Sequence, residues 1–219
     1  MSHLDLLTFA RGSALNWAMM IFAAGIVLRL FEIFGLSRKA DLARPRTDTP
    51  GSGWRTMFTR SLPPQGMLKR DPVTYIGGYV FHLGLLVAIF FFAPHIEFFR
   101  SMLGVVWPSL PSALVDASVV AAMVALGVLL AHRLNNPVKR MLSGFGDYLA
   151  WAATLLPLLT GYMAYHHLLL EYTLMLALHL FSVELLLVLL PFTKLFHTFS
   201  VFISRWYNGD ISARKGVAS

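Results

Sequence analysis

The stretch from Glu171 to Tyr207, EYTLMLALHLFSVELLLVLLPFTKLFHTFSVFISRWY, constrains the fold of this chain more than any other. As a helix its apolar run is long enough to cross the ~30 Å hydrocarbon core of a bilayer. It also carries two histidines, His179 and His197, eighteen residues apart. At about 100° per residue that spacing is five whole turns, so on a straight helix both imidazoles leave one face, roughly 27 Å apart. Ionisable groups are costly to hold inside a membrane helix, and they imply a function and a partner on another helix.

Composition extends this reading to the whole chain. Hydrophobic residues make up 57% of the 219 and charged residues 13%, against ~45–50% and ~25% in soluble domains. The fold class is therefore all-α integral membrane, with room in one domain for about four to six spans. The apolar runs predict a five-helix bundle, with spans at about 15–36, 73–92, 112–130, 148–165 and 171–193, the last extending to about 205. Residues 1–207 then form the membrane domain and 208–219 a polar tail. Ser37–Pro72 holds Pro45, Pro50, Pro63, Pro64 and eight basic residues, among them Arg38, Lys39, Arg55, Arg60, Lys69 and Arg70. That density of proline and charge makes it a loop. Pro94 marks the exit of the second span, and Asp147 has the residue type of a helix N-cap for the fourth. Arg29, Glu32 and a basic loop follow the first run without a small-residue cleavage site, so that run is expected to remain as a span.

Charge gives the orientation. With the amino terminus outside, sixteen of the eighteen lysines and arginines fall on the inner side, and only Arg11 and Arg100 fall outside. The positive-inside rule then predicts a cytoplasmic carboxyl terminus, and it accounts for the net charge of +7 without a nucleic-acid partner. No internal repeat suggests an inverted-repeat transporter. The absence of cysteine excludes disulfides and thiolate-held metal or iron–sulfur sites, leaving histidine, methionine or oxygen as metal ligands.

The second and fifth spans run in opposite directions. His82 and His197 then share the inner half of the membrane, while His95 and His179 share the outer half. Histidines facing one another across a bundle suit a haem, whose iron takes two neutral imidazoles axially. Gly77, Gly78 and Gly84 would let a flat macrocycle approach the backbone near His82. A single histidine in a span is more often a helix-to-helix hydrogen bond or proton relay than a ligand, and the matched depths are what favour ligation. His3 reads as a terminal residue and His132 as a headgroup or partner contact. His166 and His167 read as interfacial residues, quinone contacts or replacements for His95. Glu184 is either a helix-packing hydrogen-bond partner or a proton-transfer group, the first being favoured. The ten methionines read as packing residues. Trp17, Trp54, Trp107, Trp151, Trp206 and Tyr207 read as interfacial anchors. A chain of another class, a non-redox transporter or assembly factor relaying protons or binding a divalent metal, is the competing reading.

Several segments, in order, resemble the gamma subunit of respiratory nitrate reductase and its relatives, the membrane cytochrome b subunits of heterodisulfide-reductase-like and sulfur-metabolism complexes. These are LRLFEIFG, FHLGLL with His82, the loop marked by Arg133, Pro137, Lys139, Arg140 and Asp147, and LHLFSVELLLVLLPFTKLFHTFSV with His179, Pro191, Lys194 and His197. The resemblance implies a bacterial or archaeal cytoplasmic membrane protein with two haems b. The inner haem would be held by His82 and His197. The outer one would be held by His179 and by a histidine ten residues after the first. The sequence departs from the pattern there: that position is Phe92, and His95 stands three residues later, beyond Pro94. The resemblance also implies electron transfer between the quinone pool and an iron–sulfur or other redox subunit docked on the basic cytoplasmic loops, within a larger oxidoreductase.

Overall fold

The computed structural model describes residues 2–36, 44–46, 53–63 and 66–217. Arg38, Lys39, Pro50 and Pro64 of the expected loop lie outside the described residues. All regular structure among the described residues is helical. We number the principal helices α1 (His3–Phe34), α2 (Gly53–Thr59), α3 (Pro72–Phe91), α4 (Ala93–Leu103), α5 (Ser112–Asn135), α6 (Phe145–Tyr165), α7 (Tyr172–Leu189) and α8 (His197–Arg214).

Among the described residues four helices are long and apolar enough to cross a membrane: α1, α3, α5 and α7, the last continuing to Phe192. The chain is therefore a multi-pass membrane protein. The expected fourth span, α6, has 21 residues but is less apolar and is not among the four. Tyr148, Trp151, Thr154, Pro157 and Thr160 dilute its hydropathy.

The boundaries follow local chemistry. Helix α1 begins earlier than the apolar run suggests, because Ser2 and Asp5 form a reciprocal capping box ahead of it. A π turn over Ala10–Ala14 interrupts it. Helix α3 starts where Asp71 caps the Thr74 N–H and Pro72 takes the first helical position. It stops at Phe92, whose backbone is extended ahead of Pro94. Asp147 is not the N-cap of α6 but stands in its first turn, where its carboxylate accepts the Gly144 N–H at 3.0 Å.

The largest departure concerns the stretch first singled out. It is not one straight helix: α7 ends at Leu189, two single turns of 3₁₀ helix follow at Leu190–Phe192 and Lys194–Phe196, and α8 begins at His197. Pro191 has no N–H to donate to the preceding turn, and Thr193 between the turns is extended (φ −122°, ψ −176°). The five-turn argument that put His179 and His197 on one face therefore fails. Helix α8 also continues through the presumed tail as far as Arg214, where Asp210 and Arg214 pair at 2.9 Å.

The long helices pack as an open arc. Helix α1 lies on α7, α7 on α6, α6 on α5 and α5 on α3. Close α3–α5 packing depends on glycine: a Cβ at Gly84 would sit 2.4 Å from the Ser118 carbonyl, and one at Gly77 would sit 3.1 Å from Leu129. These two glycines serve helix packing rather than the macrocycle approach expected of them. Ala88, Val115, Val119, Ala122, Leu126 and Leu158 fill the core between α3, α5 and α6. Trp151 belongs to this core, donating to the Leu126 carbonyl at 2.9 Å, and is not an interfacial anchor. Helices α1 and α7 run parallel, with His3 bonded to Glu171 at one end and Gly25 against Pro191 at the other. Helix α3 forms no packed interface with α1 or α7. The ends of the arc meet through side chains and through the α2 segment, which packs on α8. Ser61 there receives a hydrogen bond from Arg205 of α8, and its carbonyl one from the Tyr79 hydroxyl of α3.

Candidate functional site

The four histidines expected to act together come together as two pairs across the gap between α3 and the α7–α8 segment. His82 and His197 have ring centroids 6.1 Å apart at an interplanar angle of 85°. His95 and His179 have centroids 6.2 Å apart and nearly parallel rings, at 16°. His82 and His197 are exposed and His95 and His179 half-buried, as expected where two helices face without touching.

Each ring is oriented through Nδ1. His82 Nδ1 lies 2.7 Å from the Gly78 carbonyl, His197 Nδ1 2.8 Å from the Lys194 carbonyl, and His95 Nδ1 2.7 Å from the Ala88 carbonyl. A carbonyl only accepts, so Nδ1 carries the proton and Nε2 keeps its lone pair. His179 Nδ1 reaches Thr160 Oγ1 at 3.3 Å. The Thr160 hydroxyl donates to the Leu156 carbonyl at 2.7 Å, so its oxygen accepts from His179. In the neutral tautomer all four imidazoles would leave the Nε2 lone pair available, as in metal-ligating histidines steadied by an outer partner.

A metal–imidazole nitrogen bond is about 2.0 Å and a ring centroid lies about 1.1 Å beyond the nitrogen, so two axial imidazoles on one metal have centroids about 6.2 Å apart. Both pairs match. Among the described residues no group of three or more His, Cys, Asp or Glu side chains could hold a bare metal ion. Each pair offers two ligands, and a planar macrocycle would have to supply the remaining four. Two imidazoles at this spacing are compatible with bis-histidine ligation, and among the described residues neither pair is part of a three- or four-ligand set of a bare divalent-metal site.

His95 reaches its partner because the chain bends. Extended Phe92 and Pro94 start α4 in a new direction, and the Ala88 carbonyl at the end of α3 captures the His95 ring. Phe92, at the position where the resemblance calls for a ligand, packs edge-on against His95 and Tyr165, with centroids 5.3 and 5.1 Å away. His166 does not replace His95: it lies against Tyr162 and Tyr165, and its Nε2 is 3.4 Å from Asp116. His167 stacks on Tyr172.

Two residues around the His95–His179 pair have no counterpart in the sequence reading. At Gly161 the α6 backbone meets the face of the His179 ring, where a Cβ would stand 2.9 Å from Cε1 and 3.1 Å from Nδ1. Thr160 holds the same ring. Neither residue has a sequence signature apart from small size in an apolar helix.

Of the three glycines near His82, only Gly78 has open space where a Cβ would be. His132, expected to meet a headgroup or partner, is bonded within the chain to Asp71 at 3.0 Å. Asp71 also takes Lys139 Nζ at 2.6 Å, and that ammonium holds its carboxyl well below the usual carboxylate range. Glu184 is 7% exposed, and among the described residues its Oε1 has no hydrogen-bond partner.

A curated protein of Nitratidesulfovibrio vulgaris Hildenborough, described only as "Protein", is 27% identical to this chain over 217 residues, covering 96% of each. No protein-family model and no solved structure matches. The relative's description carries no activity, so the functional argument rests on the geometry.

Proposed function

We propose that the chain is a b-type cytochrome membrane subunit that carries electrons between the quinone pool and a soluble iron–sulfur or other redox partner. The observation that carries this reading is the pair of imidazole pairs at bis-axial spacing, each ring fixed through Nδ1 with Nε2 free. His82 with His197 would hold one haem b, and His95 with His179 a second. Bound there, haem supplies one-electron chemistry that no side chain in the chain offers. The protein's part is to orient the ligands, to surround them with apolar helices and to keep the two sites at different depths.

In this reading α6 also crosses the membrane, as the fourth of five spans, the amino terminus lies outside and the carboxyl terminus lies in the cytoplasm, as the distribution of lysine and arginine favours. His95 and His179 are then on the outer side, beside Tyr162, Tyr165 and the His166–Asp116 pair. Quinol meets the chain at that end. Oxidation of a quinol releases two protons with two electrons, and the imidazole of His166 backed by Asp116 is a base suited to accept one. Electrons leave at the inner end, next to the basic loops on which an acidic partner docks. The membrane is the cytoplasmic membrane of a bacterium or archaeon.

The test is reduction by a quinol analogue in membranes containing the chain. The reading predicts quinol-dependent appearance of the reduced b-type absorbance, with loss of the fast phase in His166→Ala. Absorbance that responds to dithionite but not to quinol would overturn the quinone role.

A further inference from the structure

His197 does not inherit its position from α7, because seven non-α residues separate it from Leu189. Two side chains from other helices grip this break. On one flank, Arg29 of α1 donates through Nε to the Pro191 carbonyl at 2.9 Å, while its Nη1 is held by Glu32 at 2.7 Å. Gly25 lets the Pro191 ring approach so closely that a Cβ there would stand 2.6 Å from Cγ. On the other flank, Asp147 of α6 takes Lys194 Nζ with both carboxylate oxygens, each at 2.8 Å. The Asp147 side chain is only 13% exposed and Arg133 stands 3.5 Å away. Lys194 is also the residue whose carbonyl receives the His197 Nδ1–H.

We propose that Arg29 and Asp147 are positioning residues for His197: together they clamp the Pro191–Phe196 break so that the Lys194 carbonyl holds the His197 imidazole opposite His82. The chain of contacts runs from Asp147 to the Lys194 ammonium, along the Lys194 backbone to its carbonyl, and from there to the ring. Arg29 fixes the start of the break, so the two turns between Pro191 and Phe196 cannot slide along α8. His179 lies within α7 and is steadied by Thr160 and Gly161, so it is independent of this clamp.

The inference rests on the haem reading, and its test separates the two. Two single-site backgrounds are compared: His95→Ala, which keeps only the inner pair, and His82→Ala, which keeps only the outer pair. Into each are placed Arg29→Gln, Asp147→Asn, Lys194→Met and the Asp147→Asn/Lys194→Met double change. The readouts are retained haem and the low-spin bis-imidazole electron paramagnetic resonance signal. In the inner-only background haem affinity is expected to fall about tenfold or more, as when an outer partner of a ligand is removed, and the double change to cost no more than either single one. Asp147→Glu restores the signal. In the outer-only background haem and signal stay unchanged, which also shows that the variants fold. Equal loss in both backgrounds, or no loss in the inner-only one, overturns the clamp. A parent chain that binds no haem overturns the functional reading and the clamp with it.

Discussion

The two histidine pairs have the same spacing but are built in different ways. The outer pair is made by packing and by one bend: His179 sits within a continuous helix against the bare backbone of Gly161, and Phe92 with Pro94 turns His95 toward it. The His82–His197 pair is made by polar contacts across a break, with His197 at the first position of α8 and the residues before it held by a hydrogen bond from Arg29 of α1 to the Pro191 carbonyl and an ion pair from Asp147 of α6 to Lys194. The His95–His179 pair should therefore respond more to changes of shape at Gly161 and the His82–His197 pair more to changes of charge at Asp147 and Lys194.

The largest effects come from the ligands themselves. Replacing His82 or His197 by alanine should remove one haem and leave the other spectrum intact, while His95→Ala or His179→Ala should do the converse; haem content and redox titration of each variant check this. A chain that lost both haems on any single change would show that the pairs are not separate sites.

Next in size is Gly161→Val. The new side chain would have to displace the His179 ring, an overpacking change that costs about 1–3 kcal/mol. The outer haem should be depleted and the inner one kept. Equal depletion of both would mean that α6 supports the bundle as a whole and not the His179 ring.

The smallest effect is expected at Asp71, which joins α3 to the end of α5 through His132 and Lys139 and is linked to neither pair through its side chain. Lys139 depresses its folded-state carboxyl below the unfolded value near ~3.9. The ionised form therefore stabilises the fold above that value, and the contribution is lost as pH falls below it toward the depressed folded value. Thermal unfolding of the parent should lose stability through this acid range, and Asp71→Asn should flatten that part of the profile while lowering the neutral-pH midpoint slightly. An unchanged acid slope would remove Asp71 from the account.

The same contrast explains what the sequence disclosed. Length, apolar runs and prolines were enough to find α3, α5 and α7 to within a few residues, because a bilayer leaves the backbone little choice but helix. Which histidines face one another was legible, since antiparallel helices bring together residues at matching positions along them. The path between His179 and His197 was not: ideal periodicity continues through Pro191 and Thr193, where the real chain leaves the helix. Gly77 and Gly84 could not be assigned, because whether a small residue serves a neighbouring helix or a ligand depends on which helix lies opposite. The residue type of Asp147 suits a helix cap, whereas its partnership with Lys194 joins residues 47 positions apart in sequence.

The most direct measurement of the central claim is the haem content of the purified chain, taken with its reduced-minus-oxidised spectrum. The account predicts non-covalently bound haem b near two per chain, with two separable redox transitions. A chain folded in detergent that binds no haem and shows no b-type absorbance would contradict it.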